Sequence, residues 1–235
     1  MQDFSAAFGL ALSLILGADA DLIEIIVLSL RVSLSAVLLA AMIGFPLGAA
    51  LAVARFPGRQ AVAVILNALM GLPPVVVGLL VYMALSRAGP FGWLNLLYSP
   101  GAMIVAQTLL VTPIIAALTR QVIEDMHKEY DEQFRSLCIP THRVVTALVW
   151  DARYSLLTVT LAGFGRAIAE VGAVIIVGGN IDHLTRVMTT AIALETSKGN
   201  LSLALALGFI LLVLALSVNA AVYGLRASAA RLAYA

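Results

Sequence analysis

The chain has 235 residues, 62% of them hydrophobic and 11% charged, with a net charge of +1 and a mean hydropathy of +1.03. Soluble domains are about 45–50% apolar and about 25% charged, so this is the composition of an integral membrane protein, read as a single transmembrane domain over 1–235 with a core at 22–225. Near-neutral charge excludes a nucleic-acid binder, which carries a basic patch or stripe. One cysteine, Cys138, excludes an internal disulfide, and His127, His142 and His183 lack the spacing of metal ligands.

At about 20 residues per crossing the length holds five or six helices. Phe4 to Ala18 is an apolar run too short for a full crossing, preceded by Gln2 and Asp3 where a signal peptide would be basic. It reads as an interfacial or partly inserted helix. The first span follows Asp19, Asp21 and Glu24 and runs from Leu22 to Ala54, with Arg31 inside it, ending in the Arg55-Phe-Pro-Gly-Arg59 turn. The second, Ala61 to Ser86, contains Pro73 and Pro74, which remove backbone donors and bend or open the helix. Pro46 and Pro113 read as ordinary transmembrane kinks. An aromatic loop from Arg87 to Pro100 suits the membrane interface, and the third span, Gly101 to Leu118, leads into a polar segment.

That segment, Glu124 to Arg153, holds more than a third of the chain's acidic and basic residues. Lipid would leave those charges unsolvated. Leu137, Ile139, Val144, Val145, Leu148 and Trp150 interleave with the charges and Pro140 breaks the run, so the segment reads as helix, turn and helix with an apolar face for a partner. The alternative is a solvated loop. Cys138 reads as a small packing residue. The fourth span runs from Tyr154 to Val177 and the fifth from Leu201 to Leu225; between them, Gly178 to Gly199 reads as a short amphipathic helix outside the membrane.

Five spans place Arg55, Arg59, Arg120, Lys128, Arg135, Arg143, Arg153, Arg226 and Arg231 on one side, against Arg87, Arg186 and Lys198 on the other. The basic side is cytoplasmic by the positive-inside rule, which puts the polar segment and the C-terminus there. Arg166 and Glu170 stand four apart in the fourth span and share a helix face. They form either a neutralised structural pair in the bundle interior or a pair lining the substrate path, where Arg166 offsets an anion's charge. Arg31 carries the same two readings. Pro73-Pro74 is either a plain bend or the broken helix from which substrate paths are built. The sequence contains no P-loop, no Gly-x-Ser-x-Gly and no His-Glu-x-x-His, so the energy for any transport comes from a gradient or from another subunit.

Several stretches together resemble the membrane subunit of binding-protein-dependent ABC importers of the molybdate/tungstate/sulfate type. Leu72-Pro-Pro-Val-Val-Val-Gly78 and Gly89-Pro-Phe-Gly92 resemble that family's second span and the loop after it. Phe164-Gly-Arg-Ala-Ile-Ala-Glu-Val-Gly172 resembles its aromatic-x-Arg-Ala-x-x-Glu-aromatic-Gly stretch. The family's Glu-Ala-Ala-x-x-x-Gly loop pattern is matched by Glu132 to Cys138, with the two alanines and the glycine replaced. Its later Ile-x-Leu-Pro falls on Leu148 to Asp151, without the proline. Glu170 to Asn180 and Thr185 to Gly199 look most like tungstate permeases.

The resemblance implies an all-α, type I importer permease that forms a homodimer in the cell membrane, with a path at the two-fold axis. It implies that each subunit docks a cytoplasmic ATPase, which binds ATP and magnesium, through Glu132, Arg135, Ser136, Leu137 and Cys138. An extracytoplasmic binding protein delivers the oxyanion, and Pro73, Pro74, Arg166 and Glu170 are the expected path or gate residues. The competing readings are a gradient-driven carrier with Arg166/Glu170 as its ion site, and an intramembrane enzyme, for which no nucleophile–base pair converges.

Overall fold

A computed structural model of the chain describes residues 20–54 and 56–233, together with Gly9, Leu12, Ser13 and Gly17, with side chains up to Gly224. The expected interfacial helix at Phe4 to Ala18 lies almost wholly outside the described residues, as does Arg55. Among the described residues every regular element is helical. They are α1 (Ala20–Val53), α2 (Arg59–Leu69), α3 (Pro74–Leu85), α4 (Pro100–Ser136), α5 (Thr141–Asp151), α6 (Arg153–Ile168), α7 (Gly172–Gly178), α8 (Met188–Ser197) and α9 (Leu201–Ala233). Helices α1, α4 and α9 are each long and apolar enough to cross a membrane, and two bent pairs bring the count to as many as five.

The centre of the fold is α1 against α4. One face of α1 carries a small residue every fourth position: Ala36, Ala40, Gly44, Gly48 and Ala52, all buried. Small residues at that spacing let two backbones approach closely. A Cβ on Gly44 would stand 2.8 Å from Ile115 Cγ2, and one on Gly48 would run into the Ala116 carbonyl oxygen and Thr119. Both helices pass through their prolines, Pro46 and Pro113, without ending. Two apolar clusters flank this seam. One joins α1, α4, α5 and α6 through residues such as Val53, Ile123, Leu148 and Phe164. The other joins α1, α3, α4 and α7 through Val32, Val81, Met103 and Val174.

Two expected spans prove to be interrupted. The second is the pair α2–α3, bent by 97° between Leu69 and Pro74. The fourth is not one helix to Val177: α6 stops at Ile168, and the seven-residue α7 restarts at Gly172. The short helix expected between the last two spans is α8, and it is not an amphipathic surface helix. Its first turn, Met188 to Ala191, is buried. Polar residues enter the interior there because each finds a bond: Ser29 Oγ accepts from Met188 N at 2.8 Å, and Thr189 Oγ1 donates to the Glu170 carbonyl at 2.8 Å.

The basic turn after α1 is held by Arg59, whose guanidinium donates to Leu51 O at 2.7 Å and Ala52 O at 2.9 Å, satisfying carbonyls at the end of α1. It also approaches Glu124, which pairs with Arg120 at 2.8 Å. At the opposite end of α1, Glu24 meets His183 of the α7–α8 loop at 2.8 Å. That hydrogen bond, together with the nearby Asp182 charge, holds the imidazole pKa above its usual range.

Candidate functional site

The α6–α7 break is built around Glu170. Its carboxylate is buried, with only 3% of the side chain exposed, whereas Arg166 is 32% exposed. The two form a salt bridge through Arg166 Nη1 and Glu170 Oε2. The other carboxylate oxygen accepts from Ala173 N at 3.0 Å, capping the first turn of α7. Gln107 of α4 donates to the Ala167 carbonyl at 3.1 Å, adding a bond from a distant helix to the one that this carbonyl, at the end of α6, accepts from Glu170 N at 3.2 Å. The far end of α7 is closed in the same way: Tyr98 N donates to Val177 O at 3.0 Å, and Thr185 Oγ1 donates to Gly178 O. A helix this short is not stable alone. The Glu170 cap, bonds from two loops and apolar packing on α3 and α4 hold it.

The pair predicted at Arg166/Glu170 therefore exists, but its members are unequal. Glu170 lies beyond the end of α6 and is a cap inside the fold. Arg166 reaches the surface beside the exposed Gly165, Ala169 and Val171. That surface adjoins α3, since a Cβ on Gly172 would stand 2.9 Å from Val75 Cγ2. A Cβ on Gly78 would stand 2.7 Å from Ala173 Cα, so α3 and α7 touch backbone to backbone. Pro73 precedes α3 as its N-cap and Pro74 is its first residue, where proline's missing N–H costs nothing. The elbow between Leu69 and Pro73 is largely exposed. Arg31 faces outward from α1, and no ion pair ties it among the described residues.

The polar segment begins inside α4, which continues unbroken to Ser136. Glu132, Arg135 and Ser136 are exposed on its last turns, and Arg135 pairs with Asp131 at 2.6 Å. The helix ends in a Schellman motif: Ile139 N donates to Phe134 O and Cys138 N to Arg135 O, both at 3.1 Å. Cys138 occupies the left-handed position with φ 49°, where glycine is the usual residue. The glycine of the resembled loop pattern thus falls where the backbone asks for one. Cys138 is exposed, so it is not the packing residue expected. Nor is the apolar face of the segment wholly free. Val144 and Leu148 are buried in the chain's own core, while Leu137 and Trp150 are each 70% exposed.

Reading the sequence missed Gln107, Thr185 and Thr189, polar residues in apolar surroundings whose spacing carries no sign of their partners. It also missed the small-residue repeat of α1, which was visible as a four-residue period.

Residues 44–230 match the family of binding-protein-dependent transport system inner membrane components. The chain is 38% identical over 226 residues to the tungstate uptake system permease protein TupB of Peptoclostridium acidaminophilum, covering 96% of this chain and 99% of that one. It is 41% identical over 204 residues to a probable anion ABC transporter permease of Haloferax volcanii, covering 85% and 88% respectively. Campylobacter jejuni TupB matches at 36% over 212 residues, covering 90% and 89%. The molybdenum permease ModB of Escherichia coli K12 is more distant, at 27% over 176 residues. With apolar spans, no strand among the described residues and a family match over most of its length, the chain belongs to the binding-protein-dependent inner membrane components, the transmembrane permease subunits of ABC importers.

Proposed function

We propose that this chain is the permease subunit of a tungstate importer, two copies of which enclose the translocation path. The observation carrying the substrate is near full-length similarity at 36–38% identity to two tungstate permeases, against 27% for the molybdenum permease. An extracytoplasmic binding protein presents the oxyanion, and two cytoplasmic ATPase subunits, each holding ATP and magnesium, supply the energy. Molybdate and sulfate are the alternative cargoes within the family.

The docking surface is the end of α4 and its turn: Glu132, Arg135, Ser136, Leu137 and Cys138. Support comes from their exposure and from the reach of α4, which extends about 27 Å beyond Leu118 at 1.5 Å per residue. ATP-driven closure of the ATPases moves this turn. Because α4 is continuous, the motion passes into the bundle and rocks it between outward- and inward-facing arrangements. At the other end of that chain of contacts, the Pro73–Pro74 elbow yields, and Arg166 offers its charge to the passing anion. Glu170 keeps Arg166 in place.

Reconstitution with the ATPase and the binding protein tests this: ATP hydrolysis should rise with tungstate more than with molybdate or sulfate. Ion flux with no ATPase present would support a gradient-driven carrier instead. Glu132→Ala and Leu137→Ala should each weaken assembly with the ATPase; intact coupling in both would remove the docking assignment.

A further inference from the structure

Between α1, α5 and α6 lies a groove of about 480 Å³ that transport does not account for. Its origin is the 73° bend at which α5 meets α6. Helix α5 turns Val144 and Leu148 into the core, which leaves Val145 and Val149 half-buried along the groove. Phe45 and Pro46 of α1 form the facing wall, and Leu157 and Thr160 of α6 line its length.

The mouth of the groove differs from its body. There Arg153 lies over two aromatic rings, with its guanidinium carbon 5.1 Å from the centre of Trp150 and 4.6 Å from that of Tyr154. It donates one hydrogen bond, to Trp150 O at 2.8 Å, and forms no ion pair among the described residues. A guanidinium carries five N–H donors in a fork suited to phosphate, so most of its donors are unspent. Trp150 beside it is 70% exposed, and tryptophan next to arginine is the pattern of a residue pair at the membrane–water interface. From Arg153 to Thr160 the helix descends seven residues, about 10 Å. A cation at the mouth and an apolar trough beneath it match an amphiphile with an anionic head. Helix α5 belongs to the polar segment assigned to the cytoplasm, where the facing leaflet is the anionic one.

We propose that this groove binds an anionic phospholipid of the cytoplasmic leaflet, its phosphate on Arg153 and one acyl chain between Pro46, Val149 and Leu157. The lipid braces the corner where the second helix of the polar segment joins the helix that carries Arg166. Its effect on coupling rests on the function proposed above; its binding does not.

The test uses the permease–ATPase complex in nanodiscs of equal phosphatidylglycerol and phosphatidylcholine, followed by native mass spectrometry. Phosphatidylglycerol should be retained selectively. Arg153→Gln should lower that retention roughly tenfold, as expected for losing a charge-assisted hydrogen bond, and Arg153→Lys should lower it less. Thr160→Trp fills the far end of the trough without touching the charge and should also displace the lipid. Equal retention of the two lipids by the unsubstituted complex, or unchanged retention in both Arg153→Gln and Thr160→Trp, overturns the proposal. So does a photo-reactive group at Leu157 that captures a second copy of the chain or the ATPase in place of lipid. Selective retention in a complex that fails to transport tungstate would count against the transport reading and leave the lipid site standing.

Discussion

The α2–α3 and α6–α7 breaks interrupt membrane spans by opposite means. At the first, Pro73 and Pro74 withdraw donors, and the turn between Leu69 and Pro73 is closed by short local backbone bonds, Met70 N to Asn67 O, Gly71 N to Ala68 O and Leu72 N to Leu69 O. Most of it is exposed. At the second, no proline is present. The backbone is released from the helix because other elements replace its bonds: Glu170 caps α7, Gln107 takes the Ala167 carbonyl, and Thr189 holds the Glu170 carbonyl. The first is an exposed elbow bonded only to its own neighbours in the chain, and the second is a joint held from several sides. The two meet where Gly78 lies against Ala173, so the helix that starts at the elbow packs directly on the joint.

The largest expected effect tests that support. Glu170→Ala removes the partner of Arg166 and leaves α7 uncapped, which should cost about 3 kcal/mol, the low end of the range for breaking a buried pair because Arg166 reaches the surface, read as a fall in thermal stability and loss of coupled transport. The exchange of Arg166 and Glu170 for each other should not rescue it, because arginine has no acceptor for the Ala173 N–H; a rescued exchange would mean that pairing alone matters. Next, Gly78→Ala forces the elbow helix away from α7. It should cost about 1–3 kcal/mol, as overpacking does, with transport lost in proportion to stability.

A third interruption, the α4–α5 turn, serves as a control for backbone strain. Cys138→Gly should stabilise the protein by about 1 kcal/mol in thermal unfolding, since a left-handed residue with a Cβ costs roughly that much. Smaller still in stability is the double replacement of Pro73 and Pro74 by alanine, expected within about 1 kcal/mol because the elbow is exposed. Transport rate should nevertheless change. Equal losses of stability at the two breaks would erase the distinction between elbow and joint.

The smallest effect concerns the tie between the α7–α8 loop and the start of α1, His183 on Glu24. The bound imidazole has a raised pKa, so its contribution is complete below the ordinary histidine value near 6.5. It is lost as pH rises through the raised value. A thermal unfolding series against pH should show this step in the unsubstituted protein and not in His183→Gln.

Much of the architecture could be read locally. Apolar runs long enough to cross a bilayer mark α1, α4 and α9, and the prolines at 73–74 mark the elbow, because neither signal depends on what lies opposite. The candidate site was legible only in part. Spacing brings Arg166 and Glu170 together, yet it cannot tell a buried cap from a group at the surface.

The sequence by itself determined a membrane protein of several helices, one proline-broken span and a charged segment between apolar ones. Hydropathy, missing N–H groups and charge are properties of residues taken in order. Tertiary structure alone decided that the fourth span is broken, that Glu170 is internal while Arg166 is reachable, and that the first turn of α8 is buried. Each of those depends on a hydrogen bond between residues far apart in the chain, such as Gln107 with Ala167 or Ser29 with Met188. A backbone may leave its helix inside a membrane protein only where other groups complete its bonds, and where those groups are distant, as at the α6–α7 break, no local pattern announces them.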